Sequence, residues 1–368
     1  MGRALSLVAD ENIPCLDALF GDIAKITRLP GRRITAGDLA EADALLVRSI
    51  TRVDPSLLAA SSLSFVGSCT IGTDHIDLSS LASRGITFAN APGCNAAAVV
   101  DYVVAAMLAT DPDLAAWRKK RAGIIGLGEV GGRLRQRLTA LGIATLAVDP
   151  FKPEATNTLA EVLSCDLVSL HVPLTKSGEH PTWHLLGERE LGLLPEAALL
   201  INSSRGPVVD NQALMARMAN KKLRVVLDVY EEEPSPDPAL LAKLDIATAH
   251  IAGYSLEGKV RGSLQVADAF YRHFAVAKPL PDLLAGVSAS VETVAGDGLA
   301  DIVRKAYDIR ADSAAFLALY GSGSDAASRA ALFDRYRKEY PDRHEFSHTR
   351  VGGVVEDELR DVVTCLFC

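Results

Sequence analysis

The chain has 368 residues, of which 49% are apolar and 23% charged, and it carries a formal net charge of −8. That length suits two or three globular domains, and the acidic balance argues against nucleic acid or an anionic membrane as the main partner. No uncharged apolar run reaches membrane-spanning length, and the start Met-Gly-Arg-Ala-Leu-Ser-Leu has no secretory apolar segment or cleavage site, so a cytoplasmic protein is expected.

Up to about residue 92 the chain alternates short buried-looking strands with helical segments. Ala4–Ala9, Ala44–Val47, Ser64–Gly67 and Thr87–Ala89 read as strands, and helices are expected around Pro55–Ala60 and Leu78–Ser83. This is the pattern of a small parallel-sheet α/β domain. Two turns that follow strands, Arg48-Ser-Ile-Thr-Arg52 and Gly67–Asp77, offer hydroxyls, free N–H groups and, in the first, two arginines. Such groups suit a carboxylate or phosphate, and α/β sheets bind ligands at this edge.

Asn95–Leu108 is apolar nearly all round and should be a helix buried between layers. After Pro112 comes Arg121-Ala-Gly-Ile-Ile-Gly-Leu-Gly-Glu-Val-Gly-Gly-Arg133, an apolar strand running into a glycine turn. Gly126, Gly128 and Gly131 have the G-x-G-x-x-G spacing: tight turn, close approach of a pyrophosphate, close helix–strand packing. The backbone of Leu127, Gly128, Glu129, Val130 and Gly131 would then face a diphosphate at a helix N-terminus. Val130, Leu134, Leu138 and Leu141 keep helical spacing up to Gly142, and Ile143–Val148 reads as the next strand. It ends at Asp149, about 20 positions past the turn, where a carboxylate takes the ribose hydroxyls of NAD. Its charge would repel the extra phosphate of NADP, although Lys152 nearby works the other way.

Further strands are expected at Asp166–Leu170, Ala198–Ile201, Arg224–Val229 and Ile246–Ala249, with helices near Leu159–Leu163 and from Asn211. Each strand delivers a polar group at its C-terminal end. Beyond His250, a long amphipathic helix carrying Leu256, Val260, Leu264, Ala267, Phe270 and Phe274 on one face should return to the N-terminal domain. Lys278-Pro-Leu-Pro281 reads as a linker, and the remainder has strand and helix signals of its own. The six cysteines are scattered apart from Cys365 and Cys368, which lack the further ligands of a zinc site, so no metal is expected.

Arg205, Glu233 and His250 follow three successive strands. Oxidising a 2-hydroxy acid needs a base for the hydroxyl proton, a carboxylate to orient that base, and a guanidinium to hold the substrate carboxylate. Singly, each residue has a plainer reading as core histidine, solvated acidic run or turn residue. Their joint placement in a dinucleotide domain favours the catalytic one.

Gly126–Gly131, Asn202-Ser-Ser-Arg-Gly-Pro-Val-Val-Asp210, Leu227-Asp-Val-Tyr-Glu-Glu-Glu-Pro234 and His250-Ile-Ala-Gly253 resemble the D-isomer-specific 2-hydroxyacid dehydrogenases. The resemblance implies catalytic roles for Arg205, Glu233 and His250, with the Glu231–Glu233 run leaving a neighbouring Glu as an alternative partner of His250. It further implies substrate contacts from Ser49, Thr70 and Tyr254, with Arg48 and Arg52 as candidates for a substrate phosphate. Asp149 matches the ribose carboxylate, and Asp228 would hold the nicotinamide carboxamide. Val172, Ser203, Ser204 and Gly253 resemble cofactor neighbours, mostly through backbone atoms.

The implied architecture is a Rossmann-type doubly wound parallel sheet (93–253), a flavodoxin-like α/β substrate-binding lid domain (1–92 with 254–280) and a small α+β C-terminal domain (281–368). In the branch of the family with such an extension it mediates dimerisation, which implies a homodimer. The expected activity is NAD-dependent oxidation of a small phosphorylated 2-hydroxy acid. The rivals are a relative acting on 3-phosphoglycerate or a plain 2-hydroxy acid, and a non-catalytic NAD-sensing binding protein.

Overall fold

The computed structural model describes residues 4–220 and 222–368. It divides into two compact units, one formed by the chain up to Asn95 with Ser255–Val287, the other by Ala96–Tyr254 with Ser288–Cys368.

The first unit holds five parallel strands, β1 Leu5–Asp10, β2 Ala24–Leu29, β3 Ala44–Val47, β4 Phe65–Ser68 and β5 Thr87–Ala89, in the order β2-β1-β3-β4-β5. This is the flavodoxin-like doubly wound order, and its direction reverses between β1 and β3. β3 and β4 are buried at every position, as their apolar runs require. β2 lies at an edge with only Ala24 fully buried, so it lacks the apolar run that marks the inner strands. The helix Leu256–His273 belongs to this unit and is capped by Ser255, whose Oγ accepts the Gly258 N–H at 2.9 Å. Phe270 on its buried face meets Phe20 and Phe65 edge-on at 5.1 and 5.6 Å between ring centroids. The expected helix at Pro55–Ala60 is instead a string of turns. Asp54 Oδ1 accepts the N–H groups of Ser56 and Leu57, and the chain turns away before a second helical turn can form.

The second unit holds six parallel strands, β6 Arg121–Ile125, β7 Ala144–Val148, β8 Leu167–Leu170, β9 Leu199–Asn202, β10 Arg224–Leu227 and β11 Ile246–Ala247. Their order is β11-β10-β9-β8-β6-β7, so the winding reverses between β6 and β8. Ligands bind at such a reversal, outside the carboxyl ends of the strands. β10 and β11 stop short of the expected ends because Asp228 begins a loop that its own side chain organises.

The helix Ala96–Thr110 buries twelve of its residues, from Ala96 to Leu108. A helix apolar all round needs cover on more than one side. The sheet gives one cover, through Ile124, Leu167 and Ile201; the C-terminal segment gives another, through Leu299, Ile302, Phe346 and Leu366. That segment contributes a parallel pair, β12 Ala289–Thr293 and β13 Thr349–Gly353, and the helices Leu299–Ala306, Ile309–Gly321, Ala326–Lys338 and Asp357–Phe367. Phe316, Tyr320 and Phe333 join the core on the other face of the sheet, with Tyr230 and Leu240. From Ser288 onward the chain groups with the dinucleotide unit, to which it adds this parallel pair and its four helices. No helix among the described residues is long and apolar enough to cross a membrane.

Candidate active site

The glycine turn after β6 gives each of its three glycines a distinct steric setting. Gly126 has φ +88°, in the left-handed region, and a Cβ there would lie 2.6 Å from the His171 carbonyl oxygen and 2.8 Å from Val172 Cγ1. A Cβ on Gly131 would come within 1.9 Å of Gly126 O, so the helix Glu129–Ala140 packs against the turn only because residue 131 has no side chain. A Cβ on Gly128, in contrast, would meet nothing within 4 Å, which leaves the second position open for a ligand. Asp149, just past β7, accepts the Leu127 N–H at 2.7 Å and the Phe151 N–H at 2.9 Å. The acidic residue is thereby locked onto the glycine turn it was expected to serve. Glu129 is exposed and pairs with Arg133 at 3.3 Å, and Val130 packs into the core beneath the turn.

The turn after β9 is pinned by its own polar groups. Ser204 donates its N–H and hydroxyl to Asn202 Oδ1 (3.1 and 2.9 Å), and Asn202 Nδ2 donates to Arg205 O at 2.9 Å. Ser203 Oγ is buried with no hydrogen-bond partner among the described residues, as expected of a group that a ligand satisfies.

Arg205 and the Glu233 loop are held close by Gly206, where a Cβ would fall 1.9 Å from Tyr230 O. Glu233 Oε2 lies 2.8 Å from His250 Nδ1, and Glu233 Oε1 accepts the Tyr230 N–H at 2.9 Å. The run of three glutamates therefore resolves by partner. Glu231 pairs with His184 through one oxygen and accepts the Asn211 N–H at 2.8 Å through the other, which leaves Glu233 to His250. Burial pushes the Glu233 carboxyl up, but the charge and hydrogen bond of His250, the charge of Arg337 and the Tyr230 N–H together outweigh it and hold it below the usual carboxylate range.

His250 has φ +56°, a conformation costly for a side chain of this size. Asp228 enforces it. Its carbonyl accepts the His250 N–H at 2.7 Å, Oδ1 accepts the Ile251 N–H at 2.8 Å and the Thr248 hydroxyl at 2.6 Å, and Oδ2 accepts the Ala252 N–H at 2.8 Å. Gly253 lies in the turn that follows, closed by the Tyr254 N–H on Ile251 O at 2.8 Å.

In the first unit, Thr70 belongs to a polar chain: Ser68 Oγ lies 2.9 Å from Thr70 Oγ1 and 3.1 Å from His75 Nε2. Arg48, after β3, lies 3.2 Å from the fully buried Asp10 at the end of β1, where that sheet reverses its winding. Ser49 is the next residue. Arg52 is 84% exposed and pairs with Asp54 at 3.4 Å, so only Arg48 of the two arginines is drawn into the unit.

Several residues that shape this site were not singled out in the sequence. Tyr230 is buried, and its hydroxyl donates to Leu227 O and Thr248 O at 3.1 and 2.9 Å, tying the Glu233 loop to the strand that precedes His250. Arg343 donates to Ala252 O at 2.6 Å and Tyr254 O at 3.3 Å, and lies 4.0 Å from the centroid of the Tyr307 ring. His184 meets Glu231 from 47 residues away, a distance no local pattern reports.

A nucleotide turn on one sheet edge, with an Arg, a Glu–His pair and a second α/β unit, defines an NAD-dependent dehydrogenase, and the chain belongs to the D-isomer-specific 2-hydroxyacid dehydrogenase family. The family model "D-isomer specific 2-hydroxyacid dehydrogenase, NAD binding domain" matches residues 106–252, and a "Domain of unknown function (DUF3410)" matches residues 284–364. More particularly, the chain is similar to the erythronate-4-phosphate dehydrogenase of Pseudomonas putida (strain W619), 47% identical over 353 residues and covering 92% of each chain. It is likewise 43% identical over 364 residues to that of Cellvibrio japonicus (strain Ueda107), covering 94% of each. Among solved structures it resembles D-lactate dehydrogenase from Aquifex aeolicus (TM-score 0.63, 22% identity, 73% of this chain and 95% of that one). The Entamoeba histolytica 3-phosphoglycerate dehydrogenase is similar too (TM-score 0.64, 20% identity, 75% and 97%). These likenesses carry the fold.

Proposed function

We propose that this enzyme oxidises 4-phospho-D-erythronate to 2-oxo-3-hydroxy-4-phosphobutanoate with NAD, a step toward pyridoxal 5'-phosphate. The observation that carries the reading is the Glu233–His250 contact of 2.8 Å, built in one unit with Arg205 and the glycine turn. Relatives 43–47% identical over most of the chain favour this substrate over 3-phosphoglycerate and over a non-catalytic NAD sensor. When bound, the nicotinamide supplies a hydride acceptor.

His250, its Nδ1 held by Glu233, takes the C2 hydroxyl proton through Nε2. Arg205 clamps the substrate carboxylate and steadies the developing carbonyl oxygen. Asp149 receives the adenosine ribose, and the turn from Gly126 to Gly131 receives the pyrophosphate. Val172, Ser203, Ser204 and Gly253 border the cofactor. Asp228 receives the nicotinamide carboxamide, a role its singly engaged Oδ2 supports. Ser49, Thr70, Tyr254 and Arg48 contact the substrate, and the first unit acts as the lid.

The C-terminal segment forms a homodimer interface, a reading supported by Val294 and Val354, exposed apolar residues beside the β12–β13 pair. A cytoplasmic location fits the six free cysteines among the described residues.

The test is direct: purified protein loaded with NAD receives 4-phosphoerythronate. NADH absorbance, turning over once a 2-oxo acid is added as acceptor, is the expected result. Its absence, with faster turnover on 3-phosphoglycerate or a plain 2-hydroxy acid, replaces the substrate. Partner binding switched by NADH without turnover would replace the enzyme reading.

A further inference from the structure

The helix Ala326–Lys338 lies against the catalytic loop of its own unit. The Phe333 ring meets the Tyr230 ring edge-on at 6.4 Å, and Ser235 Oγ donates to Ala326 O at 3.3 Å. On the neighbouring helix, the Tyr320 hydroxyl donates to Pro236 O at 2.6 Å. One turn after Phe333, Arg337 sets its guanidinium 5.5 Å from the centroid of the Tyr254 ring, and Tyr340 meets the same ring at 6.1 Å. Arg337 Nε is buried with no hydrogen-bond partner among the described residues. A guanidinium is held in such a place by charge and ring stacking.

We infer that Arg337, from the C-terminal segment, is a positioning residue for the dehydrogenase reaction: its charge supports the Glu233–His250 pair while its guanidinium braces Tyr254. The inference rests on the dehydrogenase reading of this site. Arg337 interacts electrostatically with Tyr254, Glu233, Asp334 and Asp228, and Glu233 does so with His250, Arg337 and Tyr230. Arg337 is thus a cation that adds to His250 in opposing the effect of burial on the carboxylate. A neutral Glu233 could donate a proton to Nδ1 and leave the imidazole in the wrong tautomer for accepting one at Nε2.

Arg337→Gln and Arg337→Lys test this, with Arg337→Met, which keeps the stem along Tyr254, used if the Gln variant does not fold. Two readouts are taken on the full chain. In the first, Glu233 is followed by carboxyl ¹³C NMR without substrate, assigned with Glu233→Gln. Its midpoint should rise by about half a pH unit or more when the charge is removed, and stay near wild type in the Lys variant. In the second, the acid limb of kcat/KM should move to higher pH with the charge-removing change, kcat should fall about tenfold, and NAD affinity should hold. An unmoved Glu233 midpoint in the folded Gln or Met variant overturns the inference. Absence of turnover in the wild-type protein would instead strike the proposed function and leave the NMR readout in force.

Discussion

The carboxylate of Asp228 accepts the N–H of Ile251 at 2.8 Å, fixing the residue that follows His250. With the Ala252 N–H on the other oxygen, this anchors the left-handed turn that aims the imidazole. Asp228→Asn places an amide N–H₂ against one of these donors. We expect a loss of about 2–3 kcal/mol in stability, because a buried donor is left unpaired, and a fall in kcat/KM of roughly a hundredfold. Thermal melting and steady-state kinetics on the same preparation check it. Unchanged melting would mean the turn is held by something else.

His250→Ala should remove most turnover and leave NAD binding intact, as read by quenching of protein fluorescence. Loss of NAD binding instead would mark a structural histidine. Glu231→Gln and Glu233→Gln separate the two acidic neighbours, since only Glu233 touches His250. Glu233→Gln should change the pH–rate profile and cost about 10- to 100-fold in kcat. Glu231→Gln should leave the shape of that profile alone.

The glycine turn offers a contrast between two substitutions of equal size. Gly128→Ala adds a methyl group that meets nothing within 4 Å, so melting should shift little while NAD affinity falls about tenfold or more as the methyl occupies ligand space. Gly131→Ala sets its methyl 1.9 Å from Gly126 O, so the helix must move and melting should fall together with affinity. Equal melting losses in both would contradict the open second position.

Asp101 provides a pH prediction away from the catalytic loop. It is 3% exposed, and burial pushes its carboxyl up to about 7, against the lowering effects of the Phe346 N–H, Arg137 and Arg343. A folded value above the unfolded one means the native state keeps a proton that the unfolded chain has lost. The contribution to stability is therefore full below about pH 4 and declines to about pH 7 by up to ~1.4 kcal/mol per pH unit, then levels off. Asp101→Asn keeps an acceptor for the Phe346 N–H, at 2.8 Å in the native protein, and lacks the titration. Its stability relative to wild type should rise from pH 5 to pH 7.5 in denaturant titrations. A constant difference would refute the buried-acid account.

What could be read from the sequence follows physical lines. Strands buried on both faces appear as apolar runs, so β3, β6 and β8 were visible, whereas edge-placed β2 was hidden by its exposed positions. The glycine turn and Asp149 were legible because one local backbone motif needs both. Arg205, Glu233 and His250 could be named, but the division of labour between Glu231 and Glu233 could not. It depends on where His184 arrives, and that is set by packing. The tail was harder still: Asp101 meets Phe346 across 245 positions, and nothing near either residue announces the other.

The first unit is interrupted in sequence by the second, and this sets an order of assembly. During synthesis, strands β1 to β5 emerge first, yet Phe270, which covers Phe20 and Phe65, comes only after all six strands of the nucleotide sheet. A nascent chain halted before Ser255 would present an open apolar face on the first sheet, and its second sheet would still lack its C-terminal cover. Chaperone demand should therefore peak in mid-chain and ease once the helix Leu256–His273 has left the ribosome.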